Sequence, residues 1–205
     1  MTEPAPRPHP PRRLLLLGGA SLLLAGGAIA AVGGVLWPRV AGLPDPTDPG
    51  TTLAQVEEAV ARILPVPEIT AAELAALMHG GGRLVLLDVR EPDEFAQSRI
   101  PGAERIAPGL PAAEVLARHG AAMKGATVVF YCAVGWRSGR MLEGLRDAAA
   151  QVGAESLRNL RGGIFRWHAE GRALGLAPGA PPQEKRGVHH YDPAWGQLLR
   201  RTLGN

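Results

Sequence analysis

A chain of 205 residues is long enough for one ordinary domain with accessory segments, and 46% hydrophobic content can supply a core. Its formal charge of +3 is dispersed: residues 1–65 hold five Lys/Arg against five Asp/Glu, residues 66–176 thirteen against twelve, and the remainder four against two. That leaves no concentrated basic stripe for a phosphate backbone, so nucleic acid is excluded as a partner, and a single cysteine, Cys132, excludes an internal disulfide.

Residues 1–13 are a cationic start containing Arg7, Arg12 and Arg13. Residues 14–37 carry no charged side chain and are long enough to cross a bilayer as a helix. Only Arg39 follows before Asp45 and Asp48, so the cationic flank should stay in the cytoplasm and the rest of the chain should lie outside it. Arg12-Arg13, and Ala28-Ile29-Ala30 with its two small residues flanking Ile29, also suit a cleavable export signal. Two expectations stay open. One is a single-pass cell-membrane protein held through residues 14–37, with its domain on the extracytoplasmic (periplasmic) side. The other is a soluble periplasmic protein after signal cleavage.

Residues 38–65 read as a Pro-rich extended linker followed by a short amphipathic helix, capped at Thr51 or Thr52 and ended by Pro65. Its Leu53, Val56, Val60 and Ile63 keep helical spacing, which predicts packing on the domain. From Glu68 onward strands and helices alternate. Helices are expected at 71–78, 92–97, 112–118, from Ser138, and at 163–170. Strands are expected at 84–87, closing on Asp88, and at 127–131 and 157–160, with 100–110 irregular. The unbroken Val128-Val129-Phe130-Tyr131 implies burial on both faces. The pattern over residues 66–176 predicts an α/β domain: a parallel sheet with helices on both faces, preceded by the N-terminal transmembrane or signal helix. Residues 177–205 are expected to be a surface tail docked through Trp195, Leu198 and Leu199. His189 and His190 are adjacent and share no helix or strand face, so no metal site is expected there.

The chemistry concentrates where Tyr131 ends its strand and Cys132-Ala133-Val134-Gly135-Trp136-Arg137-Ser138 follows. In an open parallel sheet, ligands bind beyond the carboxyl ends of the strands. A cysteine there, ahead of a tight Gly-containing turn and a helix N-terminus, faces backbone N–H groups and the positive end of the helix dipole. With Arg137 beside it, this setting favours a thiolate in a small anion cradle. Arg137 is read two ways, as a grip on a donor anion or as a brace through a carboxylate. Trp136 is read as the entrance wall.

This loop resembles the Cys-x-x-Gly-x-Arg-Ser active loop of the rhodanese-like family. Two further segments agree in order. Leu86-Leu87-Asp88-Val89-Arg90-Glu91-Pro92-Asp93-Glu94-Phe95, continued by Ile100-Pro101-Gly102-Ala103, resembles the family's first signature. Gly162-Gly163-Ile164-Phe165-Arg166-Trp167 resembles its closing Gly-Gly-x-x-x-Trp. Arg99 stands where many relatives have His, a position that shapes the periphery of the site at most. The resemblance implies a sulfurtransferase with Cys132 as nucleophile. Ala133, Val134, Gly135, Trp136, Arg137 and Ser138 would hold its persulfide, with Asp88 and Arg90 as supports, and with neither a cofactor nor a metal. The implied partners are a small sulfur-containing anion as donor and a thiol or other thiophilic acceptor. Two alternatives stand beside it. A phosphatase or arsenate reductase on the same scaffold would need five residues between Cys and Arg, where this chain has four. A non-catalytic sulfur carrier or protein-binding module would keep the loop and lack turnover.

Overall fold

The computed structural model describes residues 42–176 and 187–204. The expected cationic start and the membrane or signal segment 14–37 lie outside them. Among the described residues no helix is long and apolar enough to cross a membrane.

The elements follow in the order α1 (Leu53–Ile63), β1 (Glu68–Ile69), α2 (Ala71–His79), β2 (Leu84–Asp88), α3 (Pro92–Gln97), β3 (Glu104–Arg105), α4 (Ala112–Met123), β4 (Thr127–Tyr131), α5 (Trp136–Gln151), β5 (Ser156–Leu160), α6 (Gly163–Ala169) and α7 (Pro193–Leu203). The strands form one five-stranded sheet in the order β1-β5-β4-β2-β3, with every neighbouring pair parallel. β4 is the central strand. Its side chains alternate between two cores: Val129 and Tyr131 pack with α1, α2, α6 and α7, while Val128, Phe130 and Cys132 pack with α4 and α5. This is the two-faced burial that an unbroken apolar strand requires.

Local chemistry explains the helix ends. Thr52 caps α1 and Thr70 caps α2, each in a reciprocal box with the residue three positions on, Gln55 and Glu73. Pro92 opens α3, whose Glu94 reaches back to the Glu91 N–H at 3.0 Å. Asp192 caps α7 by accepting from the Trp195 N–H at 2.9 Å, again with Pro at the first helical position.

Several boundaries differ from expectation. β1 and β3 are two-residue edge strands, too short to show a period. α4 runs past Arg118 to Met123 because Val115 and Met123 share its buried face and Gly120 between them sits against Val152. α5 starts two residues before Ser138, because Gly135 takes the left-handed conformation at the N-cap. The stretch expected to be an extended linker is a series of turns over its described part: the Asp45 and Asp48 side chains accept from the Thr47 and Gly50 N–H groups at 2.9 and 2.8 Å.

The segments flanking 66–176 are part of the core. α1 buries Leu53, Val56 and Val60, and its Glu57 carboxylate takes two hydrogen bonds from Arg166 of α6 at 2.7 and 3.0 Å. The expected surface tail carries a helix, α7, which packs on α1 and α6 and buries Trp195, Leu198 and Leu199 in the same cluster. Each fully buried leucine contributes about 2 kcal/mol. Arg201 then ties α7 to the turns before α1, donating to the carbonyls of Pro46 and Asp48 at 2.8 and 3.0 Å. Arg99 does not edge the Cys132 site. It exchanges backbone hydrogen bonds with Gly175, donates to the Leu176 carbonyl at 2.5 Å and lies 4.6 Å over the Phe95 ring, pinning the chain that leaves α6.

Candidate active site

Cys132 stands just past the carboxyl end of β4, the central strand, where a doubly covered parallel sheet opens toward solvent. The turn to α5 is made by Gly135 at φ 93°, a conformation that costs an L side chain but not glycine. A Cβ there would also press to 3.3 Å on the Leu160 carbonyl and the Asn159 amide. The N–H groups of Trp136, Arg137 and Ser138 open α5, and the first turn of a helix directs its N–H groups toward the preceding loop.

Three supports hold this loop. The first is Asn159 on β5, fully buried, whose Nδ2 donates to the Gly135 carbonyl at 3.0 Å while its Oδ1 accepts from Ser138 Oγ at 2.7 Å. The second is the start of α6: the Ile164 and Phe165 N–H groups donate to the carbonyls of Cys132 and Ala133 at 2.9 and 3.1 Å. That approach is possible only because Gly163 has no Cβ; one would collide with both carbonyl oxygens. The third is Glu94 of α3. Both its oxygens accept from Arg137, at 2.7 and 2.8 Å, with the Glu94 side chain 2% and the Arg137 side chain 10% exposed. Burial works against the Arg137 charge, but the Glu94 carboxylate and the adjoining Cys132 sulfur outweigh it, and the guanidinium stays protonated.

The sequence-predicted loop residues therefore divide. Cys132, Ala133, Val134, Trp136 and Arg137 line a pocket, whereas Gly135 and Ser138 turn inward to Asn159. Arg137 is a brace through a carboxylate, and it also reaches Cys132. Asp88 and Arg90 are completely buried and pair with each other in a two-pronged contact at 2.7–3.1 Å. Arg90 remains charged, since Asp88 more than offsets the cost of burial. Arg90 donates to the Ser98 carbonyl at 2.7 Å, in the turn before Ile100, and lies 5.8 Å from the ring centre of Tyr131, the residue before Cys132. Asn159, Glu94 and Gly163 were not singled out from the sequence. Glu94 and Gly163 sit inside the two quoted signatures, whereas Asn159 lies in a strand that also carries Ser156 and Arg158, so no polarity pattern marks it as a buried support.

The pocket's opposite wall comes from outside 66–176: Leu43, Tyr191 and Trp195. Tyr191 lies 4.8 Å over the Arg137 guanidinium. Cys132 is left 1% exposed, and the space beside it measures about 20 Å³. Among the described residues, no three His, Cys, Asp or Glu side chains come together as a metal site. His189 and His190 stack on each other, 5.5 Å between ring centres.

The chain is thus an α/β domain with a five-stranded parallel sheet, and its one cysteine and a helix N-terminus meet at the end of the central strand. Residues 70–170 match the rhodanese-like domain. A protein of Allochromatium vinosum named "Sulfurtransferase" is 34% identical over 113 residues, covering 55% of this chain and 97% of that one. The chain belongs to the rhodanese-like family. It is also 35% identical to the uncharacterized protein YqhL of Bacillus subtilis over 82 residues, 40% of this chain and 59% of that protein. Among solved structures, a thiosulfate sulfurtransferase from Pseudomonas aeruginosa aligns with a TM-score of 0.50 at 21% identity, which speaks for the fold. The alignment covers 71% of this chain and 26% of the Pseudomonas chain.

Proposed function

We propose that this protein is a sulfurtransferase that carries sulfane sulfur on Cys132. The observation that carries the reading is the placement of Cys132 just past the end of β4, lining a small pocket and in a loop held by three supports. The Cys132 thiolate attacks the outer sulfur of a donor such as thiosulfate. A bond forms between the cysteine sulfur and the outer sulfur, the donor's S–S bond breaks, and sulfite leaves with the electron pair. The N–H groups at the start of α5 hold the resulting persulfide. A thiophilic acceptor then takes the outer sulfur and returns the thiolate, so the kinetics are of the two-step displacement type. The family relationship and the named relative from Allochromatium vinosum support sulfur transfer as the chemistry. The four-residue spacing from Cys132 to Arg137 supports a cradle for one sulfur atom over a ring around a tetrahedral oxyanion.

The same reading places the domain outside the cytoplasm, joined to the cell membrane through residues 14–37 or released after cleavage. It rests on the uncharged 14–37 run and its cationic N-terminal flank. The deciding assay for the chemistry is thiocyanate formation from thiosulfate and cyanide by the native chain and by Cys132→Ser. Turnover by the native chain alone is expected. Comparable turnover by both would remove Cys132 from the reaction, and stoichiometric loading without turnover would favour a sulfur carrier.

A further inference from the structure

The pocket that Cys132 lines is bordered by residues far from the loop, and these bear on which donors can enter. Residues 187–204 return to the loop in a conformation built to cover it. Tyr191 has φ 67°, the left-handed region that an aromatic residue rarely adopts. That backbone is held by the Tyr191 N–H donating to His189 Nδ1 at 3.0 Å, by the Asp192 cap on α7, and by Gly196, where a Cβ would press on the His190 ring at 2.7 Å. The outcome is the Tyr191 ring on Arg137 and the Trp195 ring at the pocket wall, opposite Val134 and Trp136. Leu43, from the turns before α1, completes the mouth.

Two properties of this mouth select among sulfur donors. The space beside Cys132, about 20 Å³, admits about one water-sized group. The pocket's one cationic side chain, Arg137, is already matched by the Glu94 carboxylate through both terminal nitrogens. A thiosulfate dianion would have to bring its tetrahedral sulfonate against apolar side chains and a charge already neutralised, which is costly. A hydropersulfide presents a single terminal sulfur on a narrow chain and carries at most one negative charge.

We infer that Tyr191, Trp195 and Leu43 determine donor specificity, admitting hydropersulfides in preference to thiosulfate; this rests on the proposed role of Cys132. In the favoured step the Cys132 thiolate attacks the terminal sulfur of R–S–SH. The new bond joins the cysteine sulfur to that sulfur, the donor's S–S bond breaks, and R–S⁻ leaves with the electron pair. The proton stays on the transferred sulfur, and no oxidant or reductant is consumed.

The test uses the full chain and two donors, thiosulfate and benzyl hydropersulfide generated in situ. Loading of Cys132 is followed by mass spectrometry, with each rate divided by that donor's rate with a free small thiol. The native chain is expected to prefer the hydropersulfide by about a hundredfold, and Tyr191→Ala to cut that ratio by about tenfold through faster thiosulfate loading. Leu43→Ala, which widens the mouth from the other side, should do the same, and Tyr191→Phe should keep the native ratio. A native ratio near one, or alanine variants that leave it unchanged, would overturn the specificity role while leaving sulfur transfer intact. Failure of both donors to load Cys132 would overturn the proposed function and this inference with it.

Discussion

Glu94 and Arg137, 43 positions apart in sequence, meet in a two-pronged ion pair at 2.7 and 2.8 Å that fixes the helix after the Cys132 loop to the helix after β2. The pair is nearly dry, so its partners depend on each other. Removing one partner of a buried pair leaves an uncompensated charge, which costs about 3–5 kcal/mol. Glu94→Gln should therefore lower the urea midpoint by an amount equivalent to about 3 kcal/mol at unchanged slope. A midpoint within error of the native one would mean that Arg137 holds the loop without Glu94.

Asn159 makes a second, separable claim. Its amide joins the Gly135 carbonyl to the Ser138 hydroxyl, and Asn159→Ala would leave both without that partner in a buried setting. A stability loss of about 1–3 kcal/mol is expected from the unpaired groups. The loop would also lose its position, and displacement of donors by about 1 Å costs roughly a hundredfold in rate. Sulfur loading measured on the folded fraction should fall on that scale. A variant that is destabilised yet loads at the native rate would confine Asn159 to a packing role.

Much of this arrangement was legible in the sequence, and the limits have physical causes. β2 and β4 announced themselves because strands buried on both faces are continuously apolar, and the Cys132 loop followed because the chemistry is local to seven residues. β1 and β3 were hidden because two residues carry no period. Glu94 was visible as a letter of a motif, but its partner lies 43 residues on, and no spacing rule links them. The covering of the pocket by Tyr191 and Leu43 was unreadable for the same reason, since it depends on how the flanking segments dock. Gly163 is intelligible only once α6 is seen against the Cys132 and Ala133 carbonyls.

Acidification should loosen the chain around the site. Burial lowers the pKa of His168, and burial also lowers that of His189, which lies in the field of Glu94, His190, Arg90 and Asp93. Both are therefore favoured as neutral rings in the folded chain. A group whose folded pKa is depressed contributes stability above its unfolded value, about 6.5, and loses it as pH falls through the folded value. The urea midpoint should drop as pH is lowered from about 7 toward 5, and the double variant His168→Gln/His189→Gln should flatten that drop. An equal pH dependence in the variant would assign the loss to other groups.

The proposed placement outside the cytoplasm gives opposite readings from two reporters fused after Asn205. One active only in an oxidising compartment should work, and one active only in the cytoplasm should fail. The reverse pair would put the domain inside. Carbonate extraction then separates the two forms, because only an anchored chain stays with the membrane pellet.

The central claim is that Cys132 carries the sulfur, and mass spectrometry of its peptide after exposure to a sulfane donor tests it most directly. A gain of one sulfur atom on the Cys132 peptide is expected, released by reductant and by cyanide, and absent in a Cys132→Ser chain that remains folded by circular dichroism. A native chain whose Cys132 peptide stays unmodified under donor while sulfur transfer proceeds would contradict it.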